Sequence, residues 1–203
     1  ERQAGSNLSR GGHFIPLEKE PEVFTAIAPA EDQRSKLQSL PGVQAVKHVA
    51  GPIFKAYVGA PERDLAMEYY RSTGVCHHAY KPAGATSTRY YLSDQIIVRF
   101  RSETSEEIIE SIRNNVGVHM VQALPDAENT FVFQVTEQAG KNPIKVANTL
   151  MGHADVEYAE PDLVNRFHRA YQPGDPGFQF QWYLRSWNGD DVLAGADIAV
   201  AEA

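Results

Sequence analysis

The chain has 203 residues, of which 42% are hydrophobic and 22% are charged, and its formal net charge at pH 7 is −7. This ordinary composition indicates a soluble globular protein with one medium domain or two small ones. No apolar run approaches the ~20 residues that cross a bilayer, and no cluster of Lys and Arg offers a surface for nucleic acid. We therefore expect neither a membrane nor a nucleic acid as a partner. Cys76 is the only cysteine, which excludes an intrachain disulfide and predicts a small buried side chain.

The first half of the chain predicts a flexible start followed by six elements. Residues 1–21 open with a polar, glycine-rich stretch and are expected to form a flexible N-terminal segment. The apolar periods that follow predict a strand at 23–28, a helix at 30–40, strands at 43–49 and 53–58, a helix at 61–72 and a strand at 77–82. Residues 83–91 begin with Gly, Ala, Thr and Ser and are expected to be a linker.

The second half predicts the same order of elements. Thr104-Ser105-Glu106-Glu107 has the pattern of a capping box, and the apolar stripe after it predicts a helix that ends at Gly117. Asn142-Pro143 predicts the start of a second helix that ends near Gly152. Strands are expected at 96–100, 118–121, 131–135 and 156–159.

The repeated β-α-β-β-α-β order predicts an α+β fold with two tandem ferredoxin-like subdomains, at 22–82 and 92–165. Each is expected to have its own four-stranded antiparallel sheet with two helices on one face. The other face is then expected to be bare. Alternation along the strands places Ile97 and Val132 on that bare face of the second subdomain.

Motifs for chemistry are missing from these residues. No Gly-x-Ser-x-Gly turn or other signposted nucleophile is present, so the chain is not expected to be an enzyme by itself. His77-His78 could suggest a metal site, but adjacent strand residues face opposite ways and no other ligand-rich segment accompanies them. We interpret them as polar residues at a strand edge.

Two segments near the end carry a family resemblance. Residues 175–203 contain Asp175-Pro176, Phe178, Gln181-Trp182-Tyr183-Leu184 and Asp197-Ile198 in that order. This order and spacing resemble the start of the mature domain of subtilisin-like serine proteases, with the kexin and furin branch closest. Residues 156–162, reading VEYAEPD, resemble the last strand of a subtilase propeptide. The chain is thus similar to a subtilase pro-region followed by the first residues of a catalytic domain, whose triad it lacks.

The resemblance implies a pro-domain that inhibits its protease, assists the folding of that protease and is removed by autocatalytic cleavage. Residues 166–174 would form the inhibitory tail and the cleavage junction, with Tyr171 at P1 and cleavage before Gln172; cleavage after Arg166 or Arg169 is the alternative. The tail residues implied are Phe167, His168, Arg169, Ala170, Tyr171 and Gln172.

The resemblance also implies a partner, a location and a metal. The partner is the cognate subtilisin-like catalytic domain, which would contact the sheet at Ile97, Val132 and Tyr158. The precursor would be secreted or held in the cell envelope. No cofactor is implied for the pro-domain, whereas Asp175 would be a calcium ligand of the catalytic domain.

Two other functions stay open on the sequence. One is a tandem ferredoxin-like regulatory module that binds a small ligand between its two sheets. The other is a free-standing protease inhibitor of the same shape. The aromatic segment at Trp182-Tyr183-Leu184 favours the pro-region, because neither alternative needs the start of a protease.

Overall fold

The computed structural model describes residues 7–86 and 88–165, with the side chain of Asn165 excepted. All the described residues belong to the first of two units of the chain, which spans residues 1–165. The strands of the first unit are β1 Asn7–Arg10, β2 His13–Ile27, β3 Val43–Ala50, β4 Ile53–Val58, β5 Cys76–Pro82, β6 Tyr90–Phe100, β7 Val118–Ala123, β8 Thr130–Val135 and β9 Val156–Asn165. Its helices are α1 Glu31–Gln38, α2 Arg63–Arg71, α3 Glu106–Val116 and α4 Pro143–Leu150, with a short 3₁₀ helix at Glu137–Ala139.

The strands form one curled, antiparallel, nine-stranded sheet in the order β3-β4-β2-β5-β6-β8-β7, with β1 paired to β2 and β9 paired to β6. The prediction of two tandem ferredoxin-like subdomains with separate sheets is therefore wrong. Two strands are longer than predicted: β6 begins at Tyr90, inside the expected linker, and β9 continues to Asn165. Tyr90 pairs with Tyr80 of β5, and this pair joins the strands into a single sheet.

The N-terminal residues also differ from expectation. Residues 7–10 and 13–20, which the sequence places in a flexible segment, lie in β1 and β2. Gly11 and Gly12 form the turn of this hairpin at φ values of +57° and +77°, which glycine adopts without steric cost. The backbone N–H of Gly11 donates to Oε1 of Glu160 at 2.8 Å, which fastens the hairpin to β9.

Each pair of helices covers its own part of the sheet. The first cluster joins Phe24 and Ala56 of the sheet to Leu37 of α1 and Met67 of α2. The second joins strands β6, β8 and β9 to α3 and α4 through residues such as Phe133. Cys76 lies in the first cluster, where its Sγ donates to the carbonyl of Met67 and burial raises its pKa to about 11. The thiol is therefore a buried apolar side chain, as expected.

A third cluster is shared by the two halves of the chain. It contains Leu8, Leu17 and Tyr80 from the first half and Tyr90, Leu92 and Ile144 from the second half. Leu8, Leu92 and Ile144 have no exposed surface. Because burying apolar surface is the main favourable term in folding, this cluster holds the halves together far more strongly than one strand pair could.

Candidate functional site

The face of β6, β8 and β9 that lies away from α3 and α4 carries the residues expected to contact a protease. Ile97 lies opposite Val132 of β8, and Arg99 lies opposite Tyr158 of β9. Directly opposed residues of antiparallel strands share a face, and so do residues two apart in one strand. Ile97, Val132 and Tyr158 therefore share one face, which we call the helix-free face.

The side chains on this face are less exposed to solvent than the sequence predicts for a bare sheet face. Val132 keeps only 8% of its surface exposed, while Ile97 and Tyr158 are half-buried. A contact surface here would consist mainly of Ile97, Tyr158 and the exposed Arg99. An apolar centre with a charged margin suits binding to a protein surface rather than catalysis.

In the first half of the sheet, the face away from the helices is covered by buried side chains. Val23, Ile53, Ala79 and Tyr91 form a buried cluster there, on the side of β2 and β4 away from α1 and α2. Lys55 has 5% of its surface exposed, and its Nζ donates to the hydroxyl of Tyr91 at 3.3 Å. The same Nζ lies 5.2 Å from the Tyr91 ring centre, within cation–π distance. Sequence periodicity could not reveal this cluster, because Tyr91 lay in the expected linker.

Polar contacts hold the margin of the helix-free face. Arg99 forms an ion pair with Glu157, with Nε and Oε2 3.2 Å apart. Gln134 donates to Oδ2 of Asp94 at 2.7 Å. Both contacts are exposed to solvent, so they orient side chains at the margin more than they stabilise the fold.

The expected tail lies outside the described residues. Strand β9 ends at Asn165, directly before the segment proposed as tail and cleavage junction. The expected positions that fall outside are Phe167, His168, Arg169, Ala170, Tyr171, Gln172 and the calcium ligand Asp175. Their roles stay predictions.

His77 and His78 line a cavity that the sequence does not indicate. His77 Nε2 and His78 Nδ1 are buried and have no hydrogen-bond partner among the described residues. Burial, together with a neighbouring cation, lowers the pKa of each imidazole to about 4; the cation is Arg71 for His77 and Lys19 for His78. Both rings are therefore neutral at pH 7.

The structure has no helix, within its described residues, long and apolar enough to cross a membrane. A comparison with curated proteins gives a putative N-acetylmannosamine-6-phosphate 2-epimerase of Vibrio vulnificus (strain CMCP6), 28% identical over 151 residues. The matched stretch is 73% of this chain and 63% of that protein, so the chain spans less than two thirds of its relative's length.

A comparison with protein families gives a second match, to the family described as the fervidolysin N-terminal prodomain, at residues 79–162. The match begins within β5 and ends within β9. It therefore coincides with the half of the sheet that carries the helix-free face, whereas the strands before β5 lie outside it. Residues 79–162 of this chain are thus similar to the prodomain of a subtilase, the family of subtilisin-like serine proteases.

Proposed function

We propose that this chain is the pro-region of a subtilisin-like serine endopeptidase and acts as its inhibitor and folding template. The observation that carries the proposal is the match of residues 79–162 to the fervidolysin N-terminal prodomain. Such a prodomain acts on a cognate catalytic domain, and the chain itself is not that domain. The resemblance to a subtilase prodomain supports a precursor that is secreted or held in the cell envelope.

The helix-free face is the proposed docking surface. It presents Ile97 and Tyr158 half-buried beside the exposed Arg99, on a sheet whose other face is packed against α3 and α4. A rigid sheet held by helices can serve as a template, because its surface is formed before the partner folds. The large, non-local fold of a catalytic domain is the kind of partner that benefits, since non-local contacts make folding slow.

The tail is the proposed active-site inhibitor. Residues 166–171 directly follow β9, contain no glycine and are long enough to add a strand to the edge of a cleft. In this proposal Tyr171 occupies the first specificity pocket and cleavage precedes Gln172. The order of residues in 175–203 supports a mature-domain start of the kexin and furin type, with Asp175 as a calcium ligand.

Removal of the tail is expected to abolish most inhibition. A chain that ends at Arg166 should inhibit a subtilisin-like protease roughly 100-fold more weakly than a chain that ends at Tyr171, because a handful of central residues carries most of a binding energy. The measurement is the inhibition constant from initial rates with a chromogenic peptide. Equal inhibition by the two chains would refute the role of the tail.

Polar substitution on the helix-free face is expected to weaken inhibition independently of the tail. In the full chain, Ile97→Gln with Tyr158→Gln should raise the inhibition constant about tenfold, because two apolar contacts with the protease are lost. Leu65→Gln with Tyr69→Gln is the matched control, since this pair is exposed on α2.

Thermal melting of each variant, followed by circular dichroism, shows that the assay temperature lies below unfolding. An effect of the α2 pair as large as that of the face pair would place the docking surface elsewhere.

A further inference from the structure

A cavity of about 760 Å³ opens between the two halves of the sheet. Strand β5 is joined to β6 through Tyr80 and Tyr90 alone, whereas β8 pairs with β6 further along, from Gln95 to Arg99. Residues 76–78 of β5 consequently border the cavity without a paired strand on that side. Its other walls are the end of α2, the segment from the end of β8 through the 3₁₀ helix, and the start of α4.

Positive charge is concentrated at this cavity. It is lined by Lys19, Arg71, Lys141 and Lys145, against Glu137 as its only carboxylate among the described residues. None of the four cations forms an ion pair within residues 7–86 and 88–164. The chain as a whole has a net charge of −7, so this local excess runs against its composition. Cations gathered in a concave site attract anions more strongly than scattered ones.

The start of α4 adds to this field. Asn142 caps the helix by accepting a hydrogen bond from the backbone N–H of Lys145, and its Nδ2 donates to the hydroxyl of Tyr80 at 2.9 Å. The second bond fixes the helix start against β5, at the cavity. The first turn of α4 contains no acidic residue, unlike the first turns of α1, α2 and α3. Lys141 and Lys145 lie at the start of α4, where the helix dipole is positive, so the lysine charges and the dipole repel each other. A bound anion would relieve that repulsion.

The two histidines of the cavity have hydrogen-bonding capacity that no described residue uses. A neutral imidazole carries one N–H donor, and the unpartnered ring nitrogens His77 Nε2 and His78 Nδ1 both belong to residues that line the cavity. Buried polar atoms without partners are costly, so an acceptor that reaches them would stabilise the fold. His78 Nδ1 is 4.0 Å from Oδ1 of Asp64, too far for a hydrogen bond.

We propose that this cavity binds a small anion through its phosphate group. Phosphate carries close to two negative charges and several acceptor oxygens, which match the guanidinium of Arg71, the lysine ammonium groups and the imidazole N–H donors. The volume exceeds that of free phosphate and falls in the range of ~300–1,000 Å³ typical of small-molecule sites. The proposal does not rest on the protease role of the chain.

The test is calorimetric titration of the full chain with inorganic phosphate, against chloride at equal ionic strength to cancel screening. Saturable binding is expected, together with a melting temperature that rises with phosphate concentration, because a ligand that binds the folded state alone stabilises it. Arg71→Gln with Lys141→Gln should weaken binding about tenfold or more, since it removes one cation from each side of the cavity. Arg10→Gln with Lys36→Gln is the control for overall charge and should bind as the unmodified chain does.

A second measurement keeps the proposal testable if the cavity variant does not fold. The imidazole proton resonances of His77 and His78 in the unmodified chain should shift with phosphate and stay constant with chloride. Absence of binding, absence of these shifts, or equal affinity of the cavity and control variants would each overturn the proposal. Glucose 6-phosphate distinguishes the source of the phosphate: tighter binding than inorganic phosphate identifies an ester, and equal binding identifies the free ion. No protease is present, so the result is independent of the inhibition assays.

Discussion

Replacement of Gly117 by alanine is expected to lower the free energy of unfolding by about 3 kcal/mol or more, because it combines backbone strain with a steric clash. Gly117 ends α3 in the left-handed conformation, at a φ of +71°. A Cβ at this position would lie 2.5 Å from the backbone nitrogen of Ala139 and 2.8 Å from the carbonyl carbon of Gln138. Both distances are shorter than any tolerated contact.

The clash cannot be relieved by a small local movement. The atoms that Cβ would meet belong to the backbone of the 3₁₀ helix, and the carbonyl of Gly117 accepts hydrogen bonds from the backbone N–H and the hydroxyl of Thr136. These two bonds hold the end of α3 against the start of the 3₁₀ helix, from which Gly117 would have to move away. Relaxation would therefore break hydrogen bonds as well as move backbone.

Gly140→Ala separates strain from clash. Gly140 has a φ of +56°, yet nothing lies within 4 Å of its added Cβ. Its replacement should cost about 1–2 kcal/mol, the price of the left-handed conformation alone. Urea unfolding followed by circular dichroism measures both losses. Equal losses for the two variants would show that the contact with the 3₁₀ helix contributes nothing.

Local sequence signals predict single elements well. Strand β4 occupies 53–58, where its apolar period places it, and α3 ends at Gly117 because a capping serine and a left-handed glycine define its ends locally. The longer strands escaped prediction for a different reason. Tyr90 and Tyr91 follow a Gly/Ser/Thr stretch in the expected linker, yet they pair with residues 165 and 164, more than seventy positions away. Such pairing depends on tertiary contacts that no window of sequence contains.

The candidate sites show the same division. Alternation in β6 and β8 was sufficient to place Ile97 and Val132 on one side, because period 2 is a local property. The burial of Val132 depends on the three-dimensional path of the sheet and could not be read from that period. The cavity could not be read from the sequence either, because its lining cations Lys19, Arg71 and Lys141 lie far apart in the chain and form no motif.

Leu92→Ala is the second large effect expected, and it tests whether the two halves fold as one unit. Leu92 has no exposed surface and lies in the cluster shared by both halves, so its truncation should cost about 2–5 kcal/mol. If the shared cluster couples the halves, amide protons of β4 and β8 should lose hydrogen-exchange protection by similar factors. Leu150→Ala is the matched control, because Leu150 is equally buried but lies in the cluster of the second half alone. Leu150→Ala should reduce hydrogen-exchange protection more in β8 than in β4.

The contrast between these two leucines decides between one folding unit and two. Two independent subdomains would lose protection separately, so Leu92→Ala would then affect β8 and leave β4 unchanged. A continuous sheet sets a different expectation, because the side chains of Leu8, Leu17 and Tyr80 lose contacts when Leu92 is truncated. Cavities in close-packed interiors relax only partly, so the loss reaches β2 and β5 directly and β4 through its pairing with β2. If the chain is the pro-region proposed above, opening as one body would release the helix-free face and the N-terminal half together, and inhibition would then depend on the stability of residues outside the prodomain match.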